Sequence, residues 1–339
     1  MLGSSPRVSV LLPAYNAAGT LPSCLRSIQA QTEQSWQCVV VDDGSDDDTR
    51  AVASSFAAGD RRIVVTRNAG GHQGLVPTLM RGLARCEAPY VARMDADDLM
   101  HRDRLTEQLS ELEQHPSLAA VGCHVRVFPR RGLTEGHRRY EHWLNRIDSP
   151  QRLAREAFVE CPVAHPSLMI RTSVLRAHGY RDRGWAEDYD LVLRILEAGD
   201  PIGVVPRRLL LWRDGPRRMW RTDPAYAQQR FTAAKAWYLS RSLLADTDRY
   251  VLWGYGSTGR ALRKALVDRG KEPSHIVELH PGRLGQRIHG APVIPPEALG
   301  SLPGIPIVVS VAGELAREQI RSALTAMGLL ELQHYTCCA

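Results

Sequence analysis

A chain of 339 residues is long enough for two domains with a core each. Its 44% hydrophobic and 24% charged residues are those of a globular protein rather than a disordered or fibrous one, and no run of 18 or more apolar residues is present to span a membrane. The net charge of +6 is almost all arginine, with lysine only at 235, 264 and 271, and without an RNA-binding signature or zinc-knuckle spacing no nucleic-acid partner is expected.

Cys24, Cys38, Cys86, Cys123, Cys161, Cys337 and Cys338 are odd in number and scattered, several within apolar patterns. Buried free thiols in a reducing compartment account for them. The sequence is strand-like by Val8, with no cleavage-site pattern before it, so a cytoplasmic location is expected.

Val8–Leu12 is a β-branched apolar run and predicts a buried strand, broken by Pro13-Ala14-Tyr15-Asn16. Leu21, Leu25 and Ile28 follow at helical spacing. Trp36–Val41 predicts a second strand, ending in Asp42-Asp43-Gly44-Ser45, and a helix opens at Asp46–Thr49. Ile63–Val65 predicts a third strand. A Gly-rich loop from Asn68 to Gly74 leads into a helix from about Leu75 to Cys86. Tyr90, Val91, Ala92 and Met94 predict a fourth strand. Strands alternating with helices at this spacing argue for a parallel sheet covered on both faces.

The fourth strand stops at Asp95, Asp97 and Asp98. Three carboxylates within four residues repel one another, so a cation is expected among them. A hard divalent ion, Mg²⁺ or Mn²⁺, suits oxygen ligands and bridges carboxylates to phosphates. In an open α/β sheet the polar turns after the first, second and fourth strands share one edge, where ligands bind. Acidic and Asn/Gly/Ser turns also arise from turn chemistry alone. Arg93 adjoins the cluster, but strand alternation directs it toward the opposite face.

From His101 to His115 an amphipathic helix turns Leu105, Leu109 and Leu112 inward, and Leu118–Phe128 predicts a strand. Pro129–Arg139 is basic and Gly-containing and reads as a mobile surface loop. His165-Pro166-Ser167 precedes an apolar strand end. Glu187, Asp188 and Asp190 open a helix over Leu191–Ala198, where dipole and capping physics alone favour acids. Val204–Trp220 is basic with interleaved aromatics, a candidate for phosphate, anionic lipid or plain solvent.

Pro224–Leu244 predicts a long helix and Ala245–Arg249 a hinge. A second unit begins there with Tyr250–Trp253 as a strand, Gly254-x-Gly256-x-x-Gly259, a helix through Val267 and a strand at Ile276-Val277-Glu278. From Gly259 to Glu278 is 19 residues, near the spacing of a ribose-binding acid in dinucleotide folds. Ile307–Val311 and a helix from Glu314 complete a small parallel sheet. Gly254, Gly256, Gly259 and Glu278 are thus a candidate second nucleotide site, with a purely structural or interaction role as the other reading.

The motifs P-A-Y-N, V-V-V-D-D-G-S-D-D-D-T and A-R-M-D-A-D-D, in this order, resemble family-2 glycosyltransferases of the GT-A fold. The resemblance continues through Leu105-x-x-Gln108, Val121-Gly122, His165-Pro166-Ser167 and Gly184-Trp185-Ala186-Glu187-Asp188-Tyr189-Asp190-Leu191, covering about residues 6–215. It implies an inverting, metal-dependent transferase that uses a nucleotide-diphosphate sugar, a UDP-sugar above others. Pro13, Ala14, Tyr15, Asn16, Asp42 and Asp43 would hold base and ribose. Asp95 would contact ribose and metal, and Asp97 would bind Mn²⁺ or Mg²⁺, with Asp98 an alternative ligand. Asp188 would be the catalytic base and Glu187 its neighbour on acceptor or base. Asp190, two residues on, would face elsewhere. The acceptor implied is a glycan or lipid-linked sugar of bacterial surface polysaccharide, with peripheral contact at the inner membrane face. The chain departs from the family at Met80, where asparagine is frequent, and at Trp212-Arg213-Asp214, where a tyrosine-arginine pair and a histidine loop are usual.

The expected organisation is a GT-A domain over 1–222, a helical linker over 223–247 and a small Rossmann-like domain over 248–339. Two other functions remain open at this stage: a non-catalytic nucleotide-sugar-binding scaffold, and a nicotinamide-dependent oxidoreductase centred on the second unit.

Overall fold

The structure, a computed structural model, describes residues 5–215, 218, 221 and 223–339. Of the basic stretch Val204–Trp220, residues 216, 217, 219 and 220 lie outside the described residues. The chain divides into two compact units: Met1–Ala154, Pro162–Arg183 and Glu187–Arg218 form one, and Arg155–Cys161, Gly184–Ala186 and Met219–Ala339 the other.

In the first unit β1 (Val8–Ala14), α1 (Leu21–Gln29), β2 (Trp36–Asp42), α2 (Thr49–Gly59), β3 (Ile63–Arg67), α3 (Leu75–Leu83) and β4 (Tyr90–Arg93) alternate as expected. They are followed by β5 (Leu99–Met100), α4 (Arg104–Gln114), β6 (Ala120–Phe128), α5 (Glu135–Leu144), α6 (Pro150–Glu156), β7 (Met169–Arg171), α7 (Thr172–His178), α8 (Glu187–Glu197) and β8 (Ile202–Arg213). The sheet order is β3-β2-β1-β4-β7-β6-β8-β5. β3, β2, β1 and β4 pair in parallel, β7 runs antiparallel to both its neighbours, and β5 runs antiparallel to β8.

β1 reads as an unbroken apolar run because both of its faces are covered. Val8, Val10 and Leu12 enter one core with Leu25 and Ile28 of α1 and Leu105, Leu109 and Leu112 of α4. Leu11 enters the other with Leu79 and Leu83 of α3 and Leu191 and Ile195 of α8.

Two departures from expectation have local causes. The expected loop Pro129–Arg139 gives way to α5, which Thr134 caps by accepting from the His137 N–H at 3.3 Å. The Tyr140 and Trp143 rings, one turn apart and 5.6 Å between centroids, give this charged helix its apolar face. β8 takes in the basic stretch as far as Arg213. Its register against β6 jumps from Cys123↔Val205 to His124↔Arg208, so Pro206 and Arg207 bulge out, where a proline is tolerated.

α4 also locks the strand ends that carry the site. Arg104 is fully buried; its Nη2 donates to the Arg93 carbonyl at 3.0 Å and its Nε to Gln108 at 2.9 Å. Gln108 Nε2 donates to the Val121 and Ser167 carbonyls at 3.0 and 2.8 Å. One helical turn thus ties β4, β6 and the turn before β7 together.

The second unit holds α9 (Gln228–Leu239), β9 (Arg249–Trp253), α10 (Ser257–Val267), β10 (Glu272–Val277), β11 (Arg287–Ile288), β12 (Ala291–Ile294), β13 (Ile307–Val309), α11 (Glu314–Ala326) and β14 (Tyr335–Cys337). Its sheet order is β11-β12-β10-β9-β13-β14, parallel except between β11 and β12. Ala236 and Leu239 of α9 pack with Tyr250, Leu252 and Leu262 of this core. A buried ion-pair network joins Glu156 to Arg321 at 2.7 Å and Arg321 to Glu331 at 3.0 Å. All seven cysteines are buried. Among the described residues no helix is long and apolar enough to cross a membrane.

The Arg104 clamp is testable. Arg104→Met keeps the apolar stem but leaves buried carbonyls without a donor, which costs about 2–3 kcal/mol. Urea unfolding of the full chain should show the midpoint fall; an unchanged midpoint would mean that the clamp is not needed.

Candidate active site

β1 and β2 pair with Ala14 opposite Asp42, so the turns that follow them lie side by side. Asp43 N–H donates to the Ala14 carbonyl at 2.9 Å, Asn16 N–H to Ser45 Oγ at 3.0 Å, and Asp46 N–H to Asn16 Oδ1 at 2.9 Å. Gly44 adopts φ +73°, and a Cβ there would lie 2.5 Å from the Gly71 carbonyl carbon, so glycine is required.

The two aspartates of this turn differ. Asp43 is consumed by the Gly-rich loop: it accepts from Asn68 Nδ2 at 2.6 Å and from the backbone N–H groups of Gln73 and Gly74 at 2.8 and 2.9 Å, with His72 Nδ1 2.8 Å away. Among the described residues Asp42 accepts only the Ser45 N–H at 3.1 Å, with Arg67 Nε at 3.9 Å, and it lines an open groove of about 410 Å³ with Asp47, Asp48 and Arg50. The half-exposed Tyr15 ring stacks on His72, centroids 4.0 Å apart. Met80 Sδ accepts from Tyr180 N–H at 3.2 Å, so the departure from the family pattern has become a packing contact.

β4 ends beside β1, and the chain then turns through Asp95–Asp98. One carboxylate oxygen from each of Asp95, Asp97 and Asp98 lies within 4.8 Å of the others. β5 pairs Leu99 with Leu211 of β8, which brings the end of β8 over the turn. There Arg213 donates through its N–H to Asp98 Oδ1 at 2.7 Å and through Nε to the Asp97 carbonyl at 2.6 Å. Arg218 places Nη1 2.9 Å from Asp95 Oδ2, Nε 3.5 Å from Asp97 Oδ2 and Nη2 2.5 Å from Asp98 Oδ1. Arg93 does not face away as expected; it is buried and pairs with Asp95. The ladder continues through Arg93 and Met94, so Arg93 and Asp95, two residues apart, fall on the same side.

The electrostatics follow from these contacts. Burial pushes Asp95 up, but the Arg93 and Arg218 guanidiniums outweigh it and hold its carboxyl well below the ordinary range. Burial raises Asp97 and, far more, Asp98, with Arg218 opposing and Asp95 reinforcing the rise. Asp98 Oδ2 is buried without a hydrogen-bond partner among the described residues. An orphaned carboxylate oxygen amid a hard-oxygen donor set fits a divalent cation.

α8 begins at Glu187, and its first turn brings the second acidic centre. Glu187 is buried, with Oε1 3.5 Å from His165 Nδ1, while His165 Nε2 lies 3.0 Å from Tyr180 Oη. Burial and the Arg93 charge lower the pKa of His165, which keeps the ring neutral. Asp188 Oδ1 accepts its neighbour Tyr189 N–H at 2.7 Å. Burial and then the Glu187 charge push Asp188 up to about 8. Arg93 feels both Asp95 and Glu187, and Asp188 and His165 feel Arg93. The two acidic centres therefore share one electrostatic environment, with Arg93 common to both. Asp190 is turned away and pairs with Arg194 at 2.7 Å, which anchors the His178 and Gly179 carbonyls.

The motif reading missed Arg93 as a partner, and also Arg104 and Arg218. Only Arg218 had a signal, the basic run itself. Asp214, where a histidine loop is usual, lies 3.5 Å from His137 instead.

In the second unit the glycine turn joins β9 to α10. A Cβ on Gly259 would meet the Gly254 carbonyl oxygen at 2.3 Å, so that glycine serves close packing, whereas one on Gly256 would meet nothing within 4 Å. Glu278 accepts from Tyr255 N–H at 2.8 Å and pairs with Arg283 at 2.9 Å.

The family described as "Glycosyl transferase family 2" matches residues 9–179. The "Putative glycosyltransferase EpsE" of Bacillus subtilis is 32% identical over 203 residues, covering 58% of this chain and 69% of that protein. The "Amylovoran biosynthesis glycosyltransferase AmsE" of Erwinia amylovora is 32% identical over 222 residues, covering 62% and 80%. Among solved structures, S. aureus TarS 1-349 in complex with UDP-GlcNAc aligns with TM-score 0.56 at 16% identity over 78% of this chain and 72% of that one. The mannosyltransferase PcManGT from Pyrobaculum calidifontis, in complex with GDP-Man and Mn²⁺, aligns with TM-score 0.55 at 18% identity over 96% and 81%. The chain spans 40% of a longer TarS structure. At these identities the structural likeness shows a shared GT-A-like α/β fold.

The raised Asp188 makes a stability prediction. Below about pH 4 the carboxyl is protonated whether the chain is folded or not. Between there and about 8 only the unfolded chain ionises it, so its contribution to stability is lost as pH rises through that window. Asp188→Asn cannot ionise. Its Tm, measured by scanning calorimetry, should gain on the wild type from pH 5 to about pH 8 and level off above it. A constant difference would show that Asp188 is not held protonated.

Proposed function

Because the chain belongs to glycosyl transferase family 2, we propose that it moves a sugar from a nucleotide-diphosphate donor, a UDP-sugar foremost, onto a hydroxyl of a glycan or lipid-linked acceptor in bacterial surface-polysaccharide synthesis, with inversion at the anomeric carbon. The observation that carries the reading is the pair of acidic centres, Asp95–Asp98 and Glu187–Asp188, around one buried arginine. A glycosyl transfer needs opposite electrostatics at two nearby points: positive charge at the leaving diphosphate and a proton acceptor at the incoming hydroxyl.

In this mechanism Tyr15, Asn16 and Asp42 hold the nucleoside, and Asp43 acts on them through the Gly-rich loop it anchors. Asp95 and Asp97, with Asp98 beneath, would hold Mn²⁺ or Mg²⁺. Such an ion, when bound, supplies the charge that stabilises a departing diphosphate. Asp188 accepts the acceptor hydroxyl's proton as that oxygen bonds to the anomeric carbon. The bond from that carbon to the diphosphate oxygen breaks, and the nucleoside diphosphate leaves. Glu187 raises the basicity of Asp188, and neutral His165 holds Glu187. A carboxylate whose pKa is near the working pH is a stronger base than an ordinary aspartate. A lipid-linked acceptor would bring the protein to the cytoplasmic face of the inner membrane as a peripheral visitor.

The test is transfer from a panel of UDP- and GDP-sugars with Mn²⁺, read with and without EDTA. Asp188→Asn should lose transfer by about 10²–10⁴-fold while retaining donor affinity. Asp97→Asn should lose the Mn²⁺-dependent part of turnover. Since the base must be ionised, kcat/KM should rise with pH through about 8 in the wild type. Wild-type turnover by Asp188→Asn would remove the assigned base. Binding of a nucleotide-sugar with neither transfer nor hydrolysis would leave the nucleotide-sugar-binding scaffold rather than a transferase.

A further inference from the structure

The acidic cluster is occupied by a cation of the chain itself. Three nitrogens of Arg218 address three carboxylates, at 2.9 Å for Asp95, 3.5 Å for Asp97 and 2.5 Å for Asp98. Those are the three carboxylates that each offer an oxygen within 4.8 Å of the others. A divalent ion bound at about 2.0–2.2 Å would need the same three carboxylates. Guanidinium and ion cannot both sit there, because two cations in one small, largely buried site repel and exclude each other sterically.

The two arginines at the cluster are not equivalent. Arg93 is fixed within β4, 2% exposed, with its backbone carbonyl held by Arg104. Arg218 comes from the segment after β8. Beyond the aspartates it has a contact from Nε to the Arg213 carbonyl at 2.6 Å and lies 5.6 Å from the Trp212 ring. Breaking three exchangeable ion pairs is offset if another anion receives the guanidinium, and a diphosphate matches its planar fork.

We infer that Arg218 is an exchangeable counter-ion of this site: a divalent cation and Arg218 exclude each other among Asp95, Asp97 and Asp98, and the displaced guanidinium is taken up by the donor's diphosphate. The inference rests on the reading of these aspartates as cation ligands. It makes cation and nucleotide binding cooperative, since each lowers the cost of admitting the other, and such coupling is reciprocal.

The experiment is Mn²⁺ binding to the full chain by EPR, with UDP, with GDP and with neither, for the wild type, Arg218→Ala and Arg218→Gln. Gln keeps the length without the charge, so it serves where the shorter side chain disturbs folding. Both variants should bind Mn²⁺ about tenfold more tightly than the wild type without nucleotide. Adding the nucleoside diphosphate should tighten Mn²⁺ severalfold in the wild type and much less in the variants. With saturating Mn²⁺, UDP or GDP should bind the variants about tenfold more weakly by calorimetry. Equal or weaker Mn²⁺ binding by both variants overturns the exclusion while leaving the cation site intact. Unchanged nucleotide affinity overturns the hand-over. Absence of Mn²⁺ binding in all three proteins under all conditions overturns the cation reading itself, and the inference with it.

Discussion

Three carboxylates gathered at the end of one strand set the main electrostatic constraint on the first unit. At 4.8 Å and an effective dielectric of about 20, each pair of ionised groups repels by about 3 kcal/mol. A cluster of that kind folds only if cations are supplied or protons retained, and the structure does both. Arg93 and Arg218 hold Asp95 ionised, while Asp97 and Asp98 have raised pKa values. Much of the surrounding architecture serves this arrangement. β5 is two residues long, yet its pairing with β8 carries Arg213 over the turn. The Arg104–Gln108 clamp fixes the carbonyls of the strand that delivers the aspartates.

Arg93 then links that cluster to the second acidic centre. A buried guanidinium that interacts electrostatically with two groups of carboxylates lowers the cost of burying both. Burial, reinforced by the Arg93 charge, also keeps His165 neutral, so that this ring, 3.5 Å from Glu187, is not a full counter-charge to it. The Glu187 charge is therefore not fully quenched locally and acts on Asp188, whose pKa rises for that reason in addition to burial. The basicity of Asp188 is thus set partly by Glu187 and, behind it, His165 and Arg93.

The parts of this that could be read from sequence are those written in contiguous residues. Strands buried on both faces announce themselves as apolar runs, and β1, β2, β3 and β4 fall where the pattern puts them. Motifs confined to one turn, such as Asp42–Ser45 or Asp95–Asp98, carry their chemistry in adjacent letters. What was not legible depends on pairing across the chain. Arg218 is 120 residues from Asp98 and reads as one more arginine in a basic run. Arg104 looks like a surface residue of an amphipathic helix, and only the packing of α4 reveals that it points into the sheet. β8 hides because its bulge exposes Pro206 and two arginines in mid-strand, breaking the alternation a strand is recognised by. α5 hides because its apolar face is two aromatic rings and a leucine on an otherwise charged helix.

Adjacent acids in these motifs do different work, and the division has a common logic. In each set one carboxylate spends its charge on the protein, and under the proposed function that fixes the position of its neighbour for a ligand. Asp43 ties down the Gly-rich loop, and Asp42 is left to line the groove. Asp98 receives the Arg213 N–H from beneath, and Asp97 keeps a third of its side chain exposed. Glu187 packs against His165, and Asp188 is only partly buried. A lone carboxylate at any of these turns would be free to ionise in solvent and to choose among rotamers. The paired arrangement removes that freedom before a ligand arrives, so less ordering remains to be done on binding, and the electrostatic work of assembling like charges is done during folding instead.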